Sequence, residues 1–143
     1  MNNASKKDNQ HTDASGRSST FNLDSFQQRI GYHFHDLSIL LRAFTHPSYT
    51  NEHPKSEIRD NQRLEFLGDA VIGFITGAWI YRLYPDFEEG QMTKLRASLV
   101  CTDTLAHFAR QMGIGEALRL GHGEEEAGGR EREANLCNAF EAI

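Results

Sequence analysis

Residues 61–73 read NQRLEFLGDAVIG and set Glu65 and Asp69 four positions apart among Leu, Phe, Val and Ile. Side chains four apart stand one above the other on a helix, where like charges cost about 0.2–0.5 kcal/mol. Gly68 between them costs about another 1 kcal/mol relative to Ala. A stretch disfavoured on both counts has the character of a functional site. On a wheel advancing about 100° per residue from Leu64, Glu65, Asp69 and Gln62 form one polar stripe. Leu64, Leu67, Val71, Ile75 and Ala78 form an apolar stripe beside it. The pattern predicts a long helix from about Asp60 to Tyr84, ended by Pro85, with the apolar stripe turned to the core. Phe66 belongs to neither stripe and suits a pocket on a partner.

Outward from that helix, apolar residues recur at helical spacing. Leu23, Phe26 and Ile30 suit a short helix, and HDLSILLRAFTH suits a second with Asp36 near its start. Pro47 and Pro54 bracket a polar connection, PSYTNEHPKSE. EEGQMTKLRASLV and TDTLAHFARQMG read as two further helices, the second capped by the Thr102 hydroxyl and closed by Gly113. LGHGEEEAGGRERE reads as a solvated, glycine-broken loop, and EANLCNAFEAI opens a last helix that stops at Ile143 without a cap, as though cut in mid-element. No strand-like alternation and no internal repeat is present, so the fold class is all-α.

The 143 residues suit one domain. Residues 1–20, nearly devoid of apolar side chains, form a polar tail that cannot repay its ordering entropy and is expected to be disordered. The tail has no secretory h-region and no apolar run long enough to span a bilayer follows, which places the protein in the cytoplasm with no membrane partner. Cys101 and Cys137 stand singly, without disulfide or zinc spacing. A net charge of −5 argues against nucleic acid, unless the excess acid is local and meets cations that invert the field.

The last helix carries Asn138 and Glu141 on one face. If it packs against the long helix, three carboxylates and one amide oxygen converge. Such a set is either solvated surface, or ion-paired with Arg63, Arg96 or Arg130, or a site for a hard divalent cation; oxygen donors favour Mg²⁺ or Mn²⁺ over zinc.

NQRLEFLGDAVIG closely resembles the signature helix of the ribonuclease III family. FHDLSILLRAFTHPSYTNEH, YPDFEEGQMTKLRASLV and GGREREANLCNAFEAI resemble three further family blocks in the same order, so the resemblance covers about Leu23 to Ile143. It implies a ribonuclease III-like endonuclease domain over residues 21–143, a helical bundle, truncated in its last helix. It also implies a Mg²⁺-dependent endoribonuclease, with Mn²⁺ a substitute and no small-molecule cofactor. That enzyme acts on double-stranded RNA as a homodimer and leaves 5′-phosphate and 3′-hydroxyl ends in ribosomal-precursor and messenger-RNA processing.

By the same resemblance Glu65, Asp69, Asn138 and Glu141 are the metal set, with Asp69 and Glu141 the essential catalytic pair. Gln62 and Glu89 lie at the edge of the cleavage site, and Phe66 enters a socket on the partner subunit. Lys94 and Arg96 are candidate RNA-phosphate contacts, the alternative being solvated or ion-paired side chains, and His46 is read as a structural hydrogen-bonding residue. Two departures stand out: Gln62 and Asn138 replace the Glu and Asp usual in the family. They leave open a non-catalytic helical module that binds duplex RNA or ribosomal particles. Discounting the resemblance leaves metal-dependent nucleotide hydrolysis.

Overall fold

The protein is described by a computed structural model covering residues 21–143; the tail expected to be disordered lies outside them. Among the described residues there are nine helices and no strand. The all-α expectation holds.

Local chemistry sets most helix ends. Asn22 caps α1 (Leu23–Ile30) by accepting the Asp24 and Ser25 amides, and Gly31, at φ 69°, closes it in the left-handed region. Asp36 caps α2 (Leu37–Ala43) through the Ser38 amide. The connection expected after Pro47 instead begins with a helix, α3 (Pro47–Glu52), because proline at the first helical position gives up no hydrogen bond and presets φ. Buried Asn61 ties the start of α4 (Gln62–Leu83) to α2, donating its side-chain amide to the Ala43 carbonyl and its backbone N–H to Thr45. A reciprocal Glu88–Gln91 capping box opens α5 (Glu89–Leu99). Thr102 is not the cap of α6 (Thr102–Gln111): Cys101 takes that position, and Thr102 is the first helical residue.

The core lies between α1, α2, α6, the short α7 (Ile114–Ala117) and α9 (Glu133–Ala142). Phe26, Leu40, Phe44, Ile114 and Leu136 are its largest apolar side chains, and the rings of Phe21, Phe26 and Phe44 meet at tilted or edge-on angles. The expected solvated loop after Leu120 is instead a short helix, α8 (His122–Glu126), followed by an ion-paired turn. Arg130 pairs with Glu125 at 2.8 Å and donates to the Gly115 and Leu118 carbonyls, so the charge run staples the end of α7.

Helix α9 packs on α6 with one side and on α4 with another. The face that α4 turns toward the bundle runs through Glu65, Gly68, Ile72, Thr76 and Ile80. This overturns the expected orientation. Leu67, Val71, Ile75 and Ala78 are exposed, Leu64 is half-buried, and Ile80 is the one fully buried residue of the helix. The wheel separates the stripes, but α9 needs a face with small residues to approach, and the apolar stripe is left outward. With a mean hydropathy of 1.3 over its apolar window, α4 is also long and apolar enough, by length and composition, to cross a membrane. No uninterrupted apolar run marks it in the sequence, because Glu65 and Asp69 break its first turns.

Candidate active site

The site is built where α4 crosses α9. A Cβ added to Gly68 would lie 1.6 Å from the Glu141 carbonyl oxygen, so the two backbones touch at this point. No other residue permits that approach. Glu65 and Asp69 flank the crossing on α4, and Asn138 and Glu141 lie one turn apart on α9. The two helices that carry these positions do meet face to face, and the charges of Glu65, Asp69 and Glu141 act on one another across the contact.

Electrostatics reports the same closeness. Burial pushes the Glu65 carboxyl above its ordinary range, and the charge of Asp69 adds to the shift. Glu141 is raised by burial first, then by Asp69, with Glu65 contributing. Neither acid is ion-paired with Arg63, Arg96 or Arg130 among the described residues, whose ion pairs lie around Arg110, His122, Arg130 and Arg132. The Cys137 thiol lies 3.6 Å from Glu141 Oε1 and is pushed up to about 12, by burial first and then by the Glu141 charge. Its i,i+4 spacing from Glu141 was the signal in the sequence for this contact.

The oxygen donors and their uncompensated charge fit a hard divalent cation. Their spacing is open: among the described residues no three His, Cys, Asp or Glu side chains are gathered tightly enough to enclose an ion. Holding one requires the carboxylates to swing inward or to reach it through water.

The other expected residues lie apart from this centre. Gln62 is exposed in the first turn of α4, its N–H donating to Asp60 Oδ1. Glu89 accepts the Thr93 hydroxyl at 2.9 Å and, with Arg96, lines a groove between α4 and α5. Lys94 is exposed on α5, and Phe66 is 81% exposed. His46 has a structural role here: it caps α3, its Nδ1 accepting the Ser48 amide at 3.1 Å and lying 2.8 Å from the Ser48 hydroxyl.

A Ribonuclease-III-like family model matches residues 36–143. The chain belongs to the ribonuclease III family. It is similar to Ribonuclease 3 of Listeria welshimeri, 46% identical over 120 residues, covering 84% of the chain and 52% of the relative. Ribonuclease 3 of Bacillus cereus is 50% identical over 118 residues, covering 82% and 48%. The chain thus spans about half the length of these curated relatives. Two structures of the ribonuclease III nuclease domain of Campylobacter jejuni, both 34% identical, superpose with TM-scores of 0.79 and 0.78. They cover 85% and 86% of this chain, and 81% and 80% of theirs. One of the two is described for flexibility in a region involved in dimer formation. This chain therefore carries the fold of the family's nuclease domain.

The raised carboxyls have a consequence for stability. A group whose folded pKa lies above its unfolded value contributes stability below the unfolded value, near 4.5 for Glu, and loses it as pH rises through the folded value. Without cations the site therefore weakens the fold at neutral pH. Asp69→Asn removes the charge that raises both neighbours, and its melting temperature in EDTA at pH 7 is expected to rise by roughly 2 °C. At pH 4 the difference should vanish. Thermal melts at the two pH values check this, and a Tm at pH 7 equal to or below wild type contradicts it.

Proposed function

We propose that this chain is the nuclease domain of a divalent-cation-dependent endoribonuclease that hydrolyses phosphodiester bonds of double-stranded RNA as a homodimer. Its products carry 5′-phosphate and 3′-hydroxyl ends, and its work is the processing of ribosomal precursor and messenger RNA in the cytoplasm. The reading is carried by the meeting of Glu65 and Asp69 with Glu141 across the Gly68 contact, in a chain of this family.

Glu65, Asp69, Asn138 and Glu141 would hold Mg²⁺, or Mn²⁺ in its place. A bound divalent cation supplies an activated water for attack on the phosphodiester and charge for the departing 3′ oxygen. In this reading Asp69 and Glu141 are the essential catalytic pair, and the Asp69 charge is the larger of the two acidic neighbours' effects on Glu141. Asn138 offers an amide oxygen without charge, so it holds a cation less strongly than Asp in the same place. Gln62 and Glu89 lie at the edge of the cleavage site in this reading, and Lys94 and Arg96 offer cations to RNA phosphates.

The homodimer rests on α4. Phe66, Leu67, Phe74 and Ile75 form an outward apolar face that nothing else among the described residues covers. The Campylobacter nuclease domain is described as having a region involved in dimer formation, which supports a homodimer without saying which element forms it.

The test is cleavage of a long RNA duplex with millimolar Mg²⁺, comparing wild type with Glu141→Gln. Wild type is expected to cut, and the Gln variant to be slower by about 100-fold while still binding duplex. Equal activity in the two would remove Glu141 from the chemistry. Duplex binding without cleavage by wild type would favour the non-catalytic module, the reading that Asn138 and the open spacing of the acids support.

A further inference from the structure

Asn135 is nearly fully buried, although it lies in a core-facing stretch otherwise filled by Leu136 and Ala139. Its amide nitrogen donates 2.7 Å to Glu124 Oε1 and 3.0 Å to the Gly129 carbonyl. Two acceptors on one side settle the orientation of the amide, since only its NH₂ end donates. The same Glu124 oxygen receives Arg132 Nη1 at 2.5 Å. Space around this knot is closed: a Cβ on Gly129 would fall 2.6 Å from the Glu124 carbonyl oxygen. The Glu124 carboxyl is held below its ordinary range, the Asn135 hydrogen bond being the largest cause. A buried amide on a charged acceptor is a costly choice where leucine fills the space without any partner.

Asn135 stands one helical turn before Asn138 and two before Glu141. Besides its apolar packing on α6, helix α9 is thus held at two specific points: at its start by the Asn135–Glu124–Gly129 knot, and near its end by the Gly68 contact with α4. A helix held at one point turns about it; held at two, it presents its side chains at a set rotation.

We propose that Asn135 is a positioning residue for the nuclease site, and that its clamp on Glu124 and Gly129 fixes the rotation of α9 that aims Asn138 and Glu141 at Asp69. This rests on the assignment of those three residues to the site. The clamp is specific in its chemistry: it needs the Asn135 donor on α9, and of its two acceptors Glu124 on α8 is the one a side-chain substitution removes, the Gly129 carbonyl remaining.

The test compares wild type with Asn135→Leu, with Glu124→Leu and with the double variant, in two readouts. In the first, Mg²⁺ alone raises the melting temperature of wild type, and this increment is expected to fall by at least half in each variant. In the second, kcat on a saturating RNA duplex falls about ten-fold with KM within two-fold of wild type. The double variant should lose no more than the worse single, because the two residues act as one unit. Asn135→Ser, which keeps one donor and reduces bulk, is expected to lie between wild type and Leu, and serves where Leu is not accommodated. An Asn135→Leu protein that melts lower in EDTA yet keeps the full Mg²⁺ increment and kcat overturns the proposal and leaves Asn135 a purely structural residue. A wild type that shows the Mg²⁺ increment without cleaving RNA overturns the nuclease reading and leaves the clamp to be judged on the increment.

Discussion

Gly68→Ala is expected to slow RNA cleavage by about 100-fold and to lower stability by about 3 kcal/mol, a size at the upper end of overpacking in a closed interior. The added methyl meets a backbone carbonyl at 1.6 Å, and a carbonyl within a helix has no rotamer by which to escape. Either α4 or α9 must move as a body. On helix propensity alone the same change would stabilise by about 1 kcal/mol, so the sign of the effect decides between local and tertiary causes. Movement of either helix by an ångström separates Asp69 from Glu141, and misplacement on that scale costs about 100-fold in rate. A chemical melt and a duplex-cleavage assay check both halves. A variant as stable as wild type would mean that the helices do not touch here.

The second large effect is expected on α4's outward face. Replacing Phe66 and Phe74 together by Asp places two charges where 81% and 76% exposed rings now offer apolar surface. In the dimer proposed above, both rings would be buried, and charges there are expected to weaken self-association by at least 1,000-fold, the scale set by two aromatic anchors. Because neither ring takes part in the chain's own core, the monomer should keep its helical content. Sedimentation velocity across a concentration series reads the first effect and circular dichroism the second. Wild type sedimenting as a monomer at every concentration would contradict the assignment of this face.

The particular residues show why some of this was legible in the sequence and some was not. Asp36 and Pro85 act locally, through hydrogen bonds and sterics within a few residues, and the helix ends they imply are where the structure has them. Local reasoning was less sure at Pro47, where one residue type both ends helices and begins them, and at Thr102, where the neighbouring cysteine took the cap. The packing of α4 on α9 beside Glu65 and Glu141 was readable because each helix carries its polar residues on one face, and Gly68 is where the two backbones approach. Which face of α4 points inward was not readable: periodicity tells that two faces differ and is silent on which of them a partner covers. The run GEEEAGGRERE kept its partners hidden for a related reason, since Arg130 caps α7 carbonyls that only the fold brings near. Asn135 gave no signal beyond being polar among apolar neighbours.

Helix α9 has a place in time as well as in space. It follows the other eight described helices along the chain, yet it fills the gap between α6 and α4 and supplies Leu136 and Ala139 to the core. As a chain grows from its N-terminus, the earlier helices have no means of closing that core until α9 has been made. Glu65 and Asp69 wait on α4 for the same event. Closure of this part of the core and assembly of the acidic centre are therefore one step, and a chain stopped before α9 carries neither.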